Sequence, residues 1–244
     1  MYRGVYHNAP GESEEYNLGF NVAIDGPAGA GKSTIAKLVA KEAGFIYVDT
    51  GAMYRALAYY FLEKELDAND KEKIIEASYD ADISINYQED SQQVFLNGAN
   101  ITDKLRDEKV GKMTSLIAAV PEVRQHLLKL QRSLARDYDV VMDGRDIGTE
   151  ILPNADVKIF LTASVTVRAK RRYLELTEKG VSCNLEEIKK DIVQRDYRDT
   201  NRDVSPLRQA DDAILLDSSD LSIGEVVKKI IGYITARDAS HLIK

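Results

Sequence analysis

The chain has no tryptophan, one cysteine and three histidines in 244 residues. A single cysteine, Cys183, cannot close an internal disulfide or build a thiolate metal cluster. His7, His126 and His241 have no partner at ligand spacing, so neither a zinc site nor a histidine-based triad is indicated. No apolar run approaches the roughly 18 residues that span a bilayer. The opening residues lack the apolar stretch of a secretory signal. Positive charge is in deficit as well: the net charge is −7, and the surface as a whole suits neither nucleic acid nor an anionic membrane. What remains is an ordinary composition, long enough to bury one α/β core with an inserted subdomain. A cytoplasmic monomer with no nucleic-acid or membrane partner is the expectation.

Against those absences one stretch stands out. Gly26-Pro27-Ala28-Gly29-Ala30-Gly31-Lys32-Ser33-Thr34 fits the phosphate-binding pattern G-x-x-x-x-G-K-[ST] at every fixed position. Asn21–Asp25 reads as a short buried strand leading into it, and Ile35, Ala36, Leu38, Val39 and Ala40 carry helical spacing behind it. A loop so placed turns successive backbone N–H groups and the positive end of a helix dipole toward one small volume. Lys32 is then expected to reach the outer phosphates and the Ser33 hydroxyl to hold magnesium. Many kinases, switches and motors share this loop, so the acceptor has to be found elsewhere.

The rest of the chain alternates strands with helices. Phe45–Val48, Tyr138–Asp143, Val157–Leu161 and Ala213–Leu216 read as buried strands; helices are expected from Thr50 as N-cap, near 71–77, from Pro121, over 165–178 and 185–200, and over 222–235. This pattern predicts a P-loop α/β fold, a three-layer arrangement on a parallel central sheet. Between about 80 and 105 the period changes to two: Ile83, Ile85 and Tyr87 alternate with polar residues, and Asn97-Gly98 marks a hairpin turn. A small antiparallel β-subdomain is expected there. Residues 1–19, without periodicity, read as a flexible leader or an expression remnant, and 236–244 as a tail. The kinase domain then spans 20–235, with core segments 20–49, 138–163 and 210–235, an acceptor-binding region of about 50–137, and a lid of about 164–205.

Further candidates gather at the carboxyl ends of the strands, where such sheets bind ligands. Asp143 ends a strand and can orient magnesium directly or through water; Arg145 offers a planar fork for phosphate oxygens. Arg168, Arg171 and Arg172 share a helical face, and Arg195, Arg198, Asp199 and Arg202 repeat that spacing. Two cationic stripes on an acidic chain suit a lid that closes on polyphosphate and excludes water. The plain alternative is a solvated helix face stitched by Arg–Asp pairs, with Asp191, Asp196 and Asp203 as partners. Few aromatic platforms flank these arginines, which disfavours RNA. Thr50, Tyr54 and Arg55 open a helix and are candidates for gripping an acceptor phosphate, although Tyr54 also fits the helix's apolar side.

GPAGAGKST, VDTGAMYR, DGRDIGT, RAKRR, and RDYRDTNRDVSPL with DDAILLD, in that order, resemble the bacterial cytidylate kinases from about Phe20 to Tyr233. The resemblance implies transfer of the γ-phosphoryl group of ATP, with Mg2+, to CMP or dCMP. It assigns Tyr54, Arg55, Arg145 and Arg195 to the acceptor phosphate, Ser115, Arg124 and Asp146 to cytosine, Asp199 and Arg202 to the sugar, and Arg168 and Arg172 to a lid gripping the donor. It also implies that the β-insert belongs to the acceptor-binding region. Two other readings stay open: a small-molecule kinase with another acceptor, such as UMP or a shikimate-type substrate, and a nucleotide-dependent switch. The absence of an Asn-Lys-x-Asp motif disfavours a GTPase.

Overall fold

A computed structural model describes residues 19–88 and 91–241, and the chain divides into two units. The expected leader lies, but for Gly19, outside the described residues.

The first unit comprises residues 20–47 and 140–241. Its centre is a five-stranded sheet in the order β2-β6-β1-β7-β8. The strands are β1 (Asn21–Asp25), β2 (Ile46–Asp49), along which the chain leaves this unit, β6 (Val140–Asp143), β7 (Val157–Thr162) and β8 (Ile214–Asp217). β1 pairs in parallel with β6 and β7, and β7 with β8. These strands are short apolar runs without alternation, as a sheet covered on both faces requires. Helices α1 (Lys32–Ala43) and α8 (Ile223–His241) pack on each other, and Ile35, Val39, Val226 and Ile230 close the core over Val22, Val141 and Ile159. α8 continues to His241, so the expected tail from 236 begins as helix. Two further helices, α6 (Val165–Glu178) and α7 (Leu185–Asn201), lie against one another, capped by Ser164 and Asn184.

The second unit is residues 48–139. Here α2 (Thr50–Glu63) buries Met53, Leu57, Tyr60 and Phe61 among its neighbours. Thr50 does not cap it: the cap is Asp49, whose Oδ1 accepts from the Ala52 N–H at 2.9 Å, and Thr50 is the first helical residue. A carboxylate one residue earlier reaches the same amide and adds charge at the positive end of the dipole. Beyond α3 (Lys71–Tyr79), strands β3 (Ile83–Gln88), β4 (Ser91–Leu96) and β5 (Ala99–Asn100) form the expected antiparallel sheet. Asn97 and Gly98 both take positive φ, 49° and 78°, as a two-residue hairpin turn demands. A 3-10 turn at Thr102–Arg106 leads into α4 (Glu108–Ile117), a helix the sequence reading did not foresee, and then α5 (Pro121–Asp137). Val110, Met113 and Ile117 of α4 are buried at helical spacing. That period was the available signal, and Gly111 within it weakens the propensity.

Candidate active site

Parallel register sets the carboxyl ends of β1, β6 and β7 side by side, since Ile24 lies opposite Asp143 and Asp25 opposite Phe160. The glycine-rich loop leaves β1 so close to β7 that a Cβ on Gly26 would sit 2.0 Å from the Leu161 carbonyl oxygen. With φ at +145° as well, only glycine fits there. Gly31, at φ 89°, turns the chain into α1. Lys32 is buried, and its Nζ donates to the Pro27 carbonyl at 2.7 Å.

Next to the loop, Asp143 is buried with both carboxylate oxygens engaged. The Ser33 hydroxyl donates to Oδ2 at 2.9 Å and the Tyr47 hydroxyl to Oδ1 at 2.8 Å. A hydroxyl beside one carboxylate is a hard-oxygen donor set, suited to Mg2+ that keeps several waters and phosphate oxygens as its other ligands. Among the described residues no group of three or more His, Cys, Asp or Glu forms a metal cage. Ser33 and Asp143 thus fit the ion expected of this loop.

Arg145 and Asp146 follow β6, and each is tied to the end of α7. Arg145 Nε donates to Asp199 Oδ2 at 2.9 Å, and Arg202 lies 3.5 Å from Asp146 Oδ1. The two pairs cross: the turn gives one cation and one anion, and the helix end answers with the opposite of each. Burial holds the Lys32 ammonium well below the usual lysine range; Arg145 and Arg195 push the same way, and Asp143 and Asp25 oppose them. Lys32, Arg145 and Arg195 therefore share one cationic neighbourhood.

The lid arginines part company. Arg168 is buried, and its fork is fully engaged: Nε to the Ala163 carbonyl at 2.8 Å, one terminal nitrogen to the Ala28 carbonyl at 2.9 Å, the other to Asp196 at 2.7 Å. It holds the loop from behind. Arg171 bonds the Ser218 carbonyl at 2.7 Å. Arg172 and Arg195 are exposed, and Arg172 pairs with Glu175 along its own helix.

In the second unit the structure brings Tyr54 and Arg124 together, with the guanidinium 5.7 Å from the ring centroid. Arg124 also donates to the Ala118 carbonyl, and the Ser115 hydroxyl to Gly111. Arg55 is paired with Asp49 at 2.8 Å. Asp49 is itself held by Gln92 of β4, whose side-chain amide accepts from its N–H at 2.8 Å and donates to its carbonyl at 3.3 Å.

Sequence reasoning missed Asp25, Tyr47 and Gln92. Asp25 ends a buried strand in the same way as Asp143 and was legible by that rule. Tyr47 and Gln92 act through partners distant in sequence, which no local pattern announces.

A profile described as cytidylate kinase matches residues 22–236. A cytidylate kinase of Bacillus cytotoxicus is 50% identical over 215 residues, which are 88% of this chain and 96% of that protein. One from Caldicellulosiruptor saccharolyticus is 49% identical over 211 residues, 86% of this chain and 93% of its own. Among solved structures, a gluconokinase from Sinorhizobium meliloti aligns over 93% of this chain and 97% of its own, at 13% identity and a TM-score of 0.47.

Proposed function

The chain belongs to the cytidylate kinase family, and on that premise we propose that it transfers the γ-phosphoryl group of ATP to CMP and dCMP, giving CDP and dCDP. The observation that carries this reading is the cationic neighbourhood of the phosphate loop, where Arg145 after β6 and Arg195 of α7 both act on Lys32. Burial lowers the Lys32 pKa, Arg145 and Arg195 lower it further, and an anion of several charges relieves all three cations. Phosphoryl transfer needs such an arrangement, because positioning and charge stabilisation do most of the work and no covalent enzyme intermediate is required.

The loop Gly26–Thr34 holds the donor phosphates through its backbone N–H groups, with Lys32 at the transferred group. Mg2+, when bound, neutralises charge on the donor phosphates, and Ser33 and Asp143 are the residues to hold it. Arg145 and Arg195, with Thr50, Tyr54 and Arg55, take the acceptor phosphate. Asp146 accepts from the cytosine amino group, and Ser115 and Arg124 complete the reading of the base. Asp199 and Arg202 contact the sugar. Of these, Thr50 through Arg124 belong to the second unit and the remainder to the first. Arg172 adds charge from α6, whereas Arg168 acts by holding the loop. No helix among the described residues is long and apolar enough to cross a membrane; we place the enzyme in the cytoplasm.

The test is ADP release with CMP, dCMP, UMP, AMP, GMP and shikimate as acceptors. CMP and dCMP are expected to stimulate most. Equal stimulation by AMP or GMP removes the substrate assignment, stimulation by shikimate alone favours a small-molecule kinase, and hydrolysis indifferent to every acceptor favours a switch.

A further inference from the structure

We propose that Asp25 is a positioning residue for the acceptor half of the site, fixing the turn that carries Arg145 and Asp146. The inference rests on the acceptor roles given to those two residues above.

Asp25 is the last residue of β1 and stands immediately before Gly26 of the phosphate loop. Its side chain bonds the turn that follows β6. Oδ1 accepts the Ile147 N–H at 2.8 Å and Oδ2 the Gly148 N–H at 2.7 Å, and the residue is 5% exposed. These amides open the short π-helical turn Ile147–Ile151, of which Asp146 is the N-cap. An aspartate in that place ordinarily turns its own carboxylate back onto the first amides. Asp146 makes no such bond. The carboxylate that satisfies those orphan donors comes instead from residue 25. The division of labour leaves the Asp146 side chain directed to other partners, Arg202 among them. In the proposed function, cytosine is another.

The turn is supported on a second side. A Cβ on Gly148 would meet Lys158 Cδ at 3.1 Å and Asp25 Oδ2 at 3.4 Å, so Gly148 is seated between the two side chains. Lys158 is buried and bonded to both carboxylate oxygens of Asp212 at 2.8 Å. One strand-end carboxylate and one anchored lysine stem therefore define where the Arg145–Asp146 backbone lies. The backbone of residue 25 leads into the donor loop while its carboxylate bonds only the acceptor turn, so a change confined to the carboxylate addresses the acceptor side.

The experiment measures kcat and separate KM values for CMP and ATP, with urea unfolding, on the full chain carrying Asp25→Asn. Asparagine keeps one acceptor oxygen and sets an NH2 group against the second amide. The expected result is a CMP KM raised roughly 10- to 100-fold, as for a charge-assisted bond lost inside a protein, with the ATP KM within about 2-fold of its starting value. Gly148→Ala, which asks the neighbouring Lys158 to yield by only a few tenths of an ångström, displaces the same turn more gently. It is expected to raise the CMP KM several-fold, and it keeps the question open to test if Asp25→Asn does not fold. Equal rises in both KM values, or lowered stability with both unchanged, overturn the inference. Asp146→Asn separates it from the reading beneath it. If that variant leaves CMP use intact, the acceptor assignment fails and takes the inference with it. If it raises the CMP KM while Asp25→Asn and Gly148→Ala do not, only the inference fails.

Discussion

Arg168→Ala distinguishes an arginine that holds the loop from one that grips ATP. Three bonds vanish together, to the Ala163 carbonyl, the Ala28 carbonyl and Asp196, and a buried guanidinium leaves a void behind. Removing one partner of a buried, hydrogen-bonded ion pair costs about 3–5 kcal/mol. Asp196 retains 22% side-chain exposure and can be hydrated, which argues for the lower end, about 3 kcal/mol. In a chain of this size that is a fall in Tm of about 10 °C. Arg168→Lys keeps the charge but cannot span three acceptors, and about half of the loss is expected. Urea unfolding gives the stability, and KM for ATP reports the loop, whose Ala28 carbonyl has lost its support. With Asp196→Asn as the second arm, a double-mutant cycle should return a coupling of about 1–3 kcal/mol. A stability loss below about 1 kcal/mol accompanied by a collapse of kcat would refute this reasoning and return Arg168 to direct contact with the donor.

Lys32→Ala should abolish turnover and leave the far-ultraviolet circular dichroism unchanged; measurable phosphoryl transfer would place the donor elsewhere. Burial pushes the Asp25 carboxyl up to about 6. The folded chain therefore binds this proton between about pH 4 and 6, where the unfolded chain has released it, and this group's contribution to stability falls as pH rises through that window, by about 3 kcal/mol in all. The stability gap between the native chain and Asp25→Asn should move in the variant's favour by that order between pH 4 and 7, and a gap independent of pH would mean ordinary ionisation. Gln92→Ala frees the corner that holds Asp49 and Arg55. It should raise the CMP KM several-fold at a cost of about 1 kcal/mol, and an unchanged KM would make Gln92 a packing tie alone.

The phosphate loop could be read from the sequence because its chemistry is local: glycine spacing, one lysine and one hydroxyl suffice, and the flanks agree. Asp143 was accessible for a related reason, as a carboxylate closing an apolar run. The crossed pairs Arg145–Asp199 and Asp146–Arg202 were not, because their members lie more than 50 residues apart and are joined only by the sheet's topology. Ser115 and Arg124 came from the family resemblance, since nothing in the local pattern of either marks a ligand. Asp49 displaced Thr50 as cap because both suit the position and only the backbone path decides. Arg168 shows the converse limit. Its helical stripe was visible, but periodicity cannot say which face is turned inward.

The bond from Lys32 to the Pro27 carbonyl alters how phosphate capture should be described. An ammonium has three N–H donors and one of them is committed to this oxygen, so a nucleotide phosphate meets a lysine already held in place and can bond it by simple addition. The loop's own contact with the lysine is then kept before and after the event. Departure of the spent nucleotide then leaves the buried ammonium with the Pro27 carbonyl still as its partner.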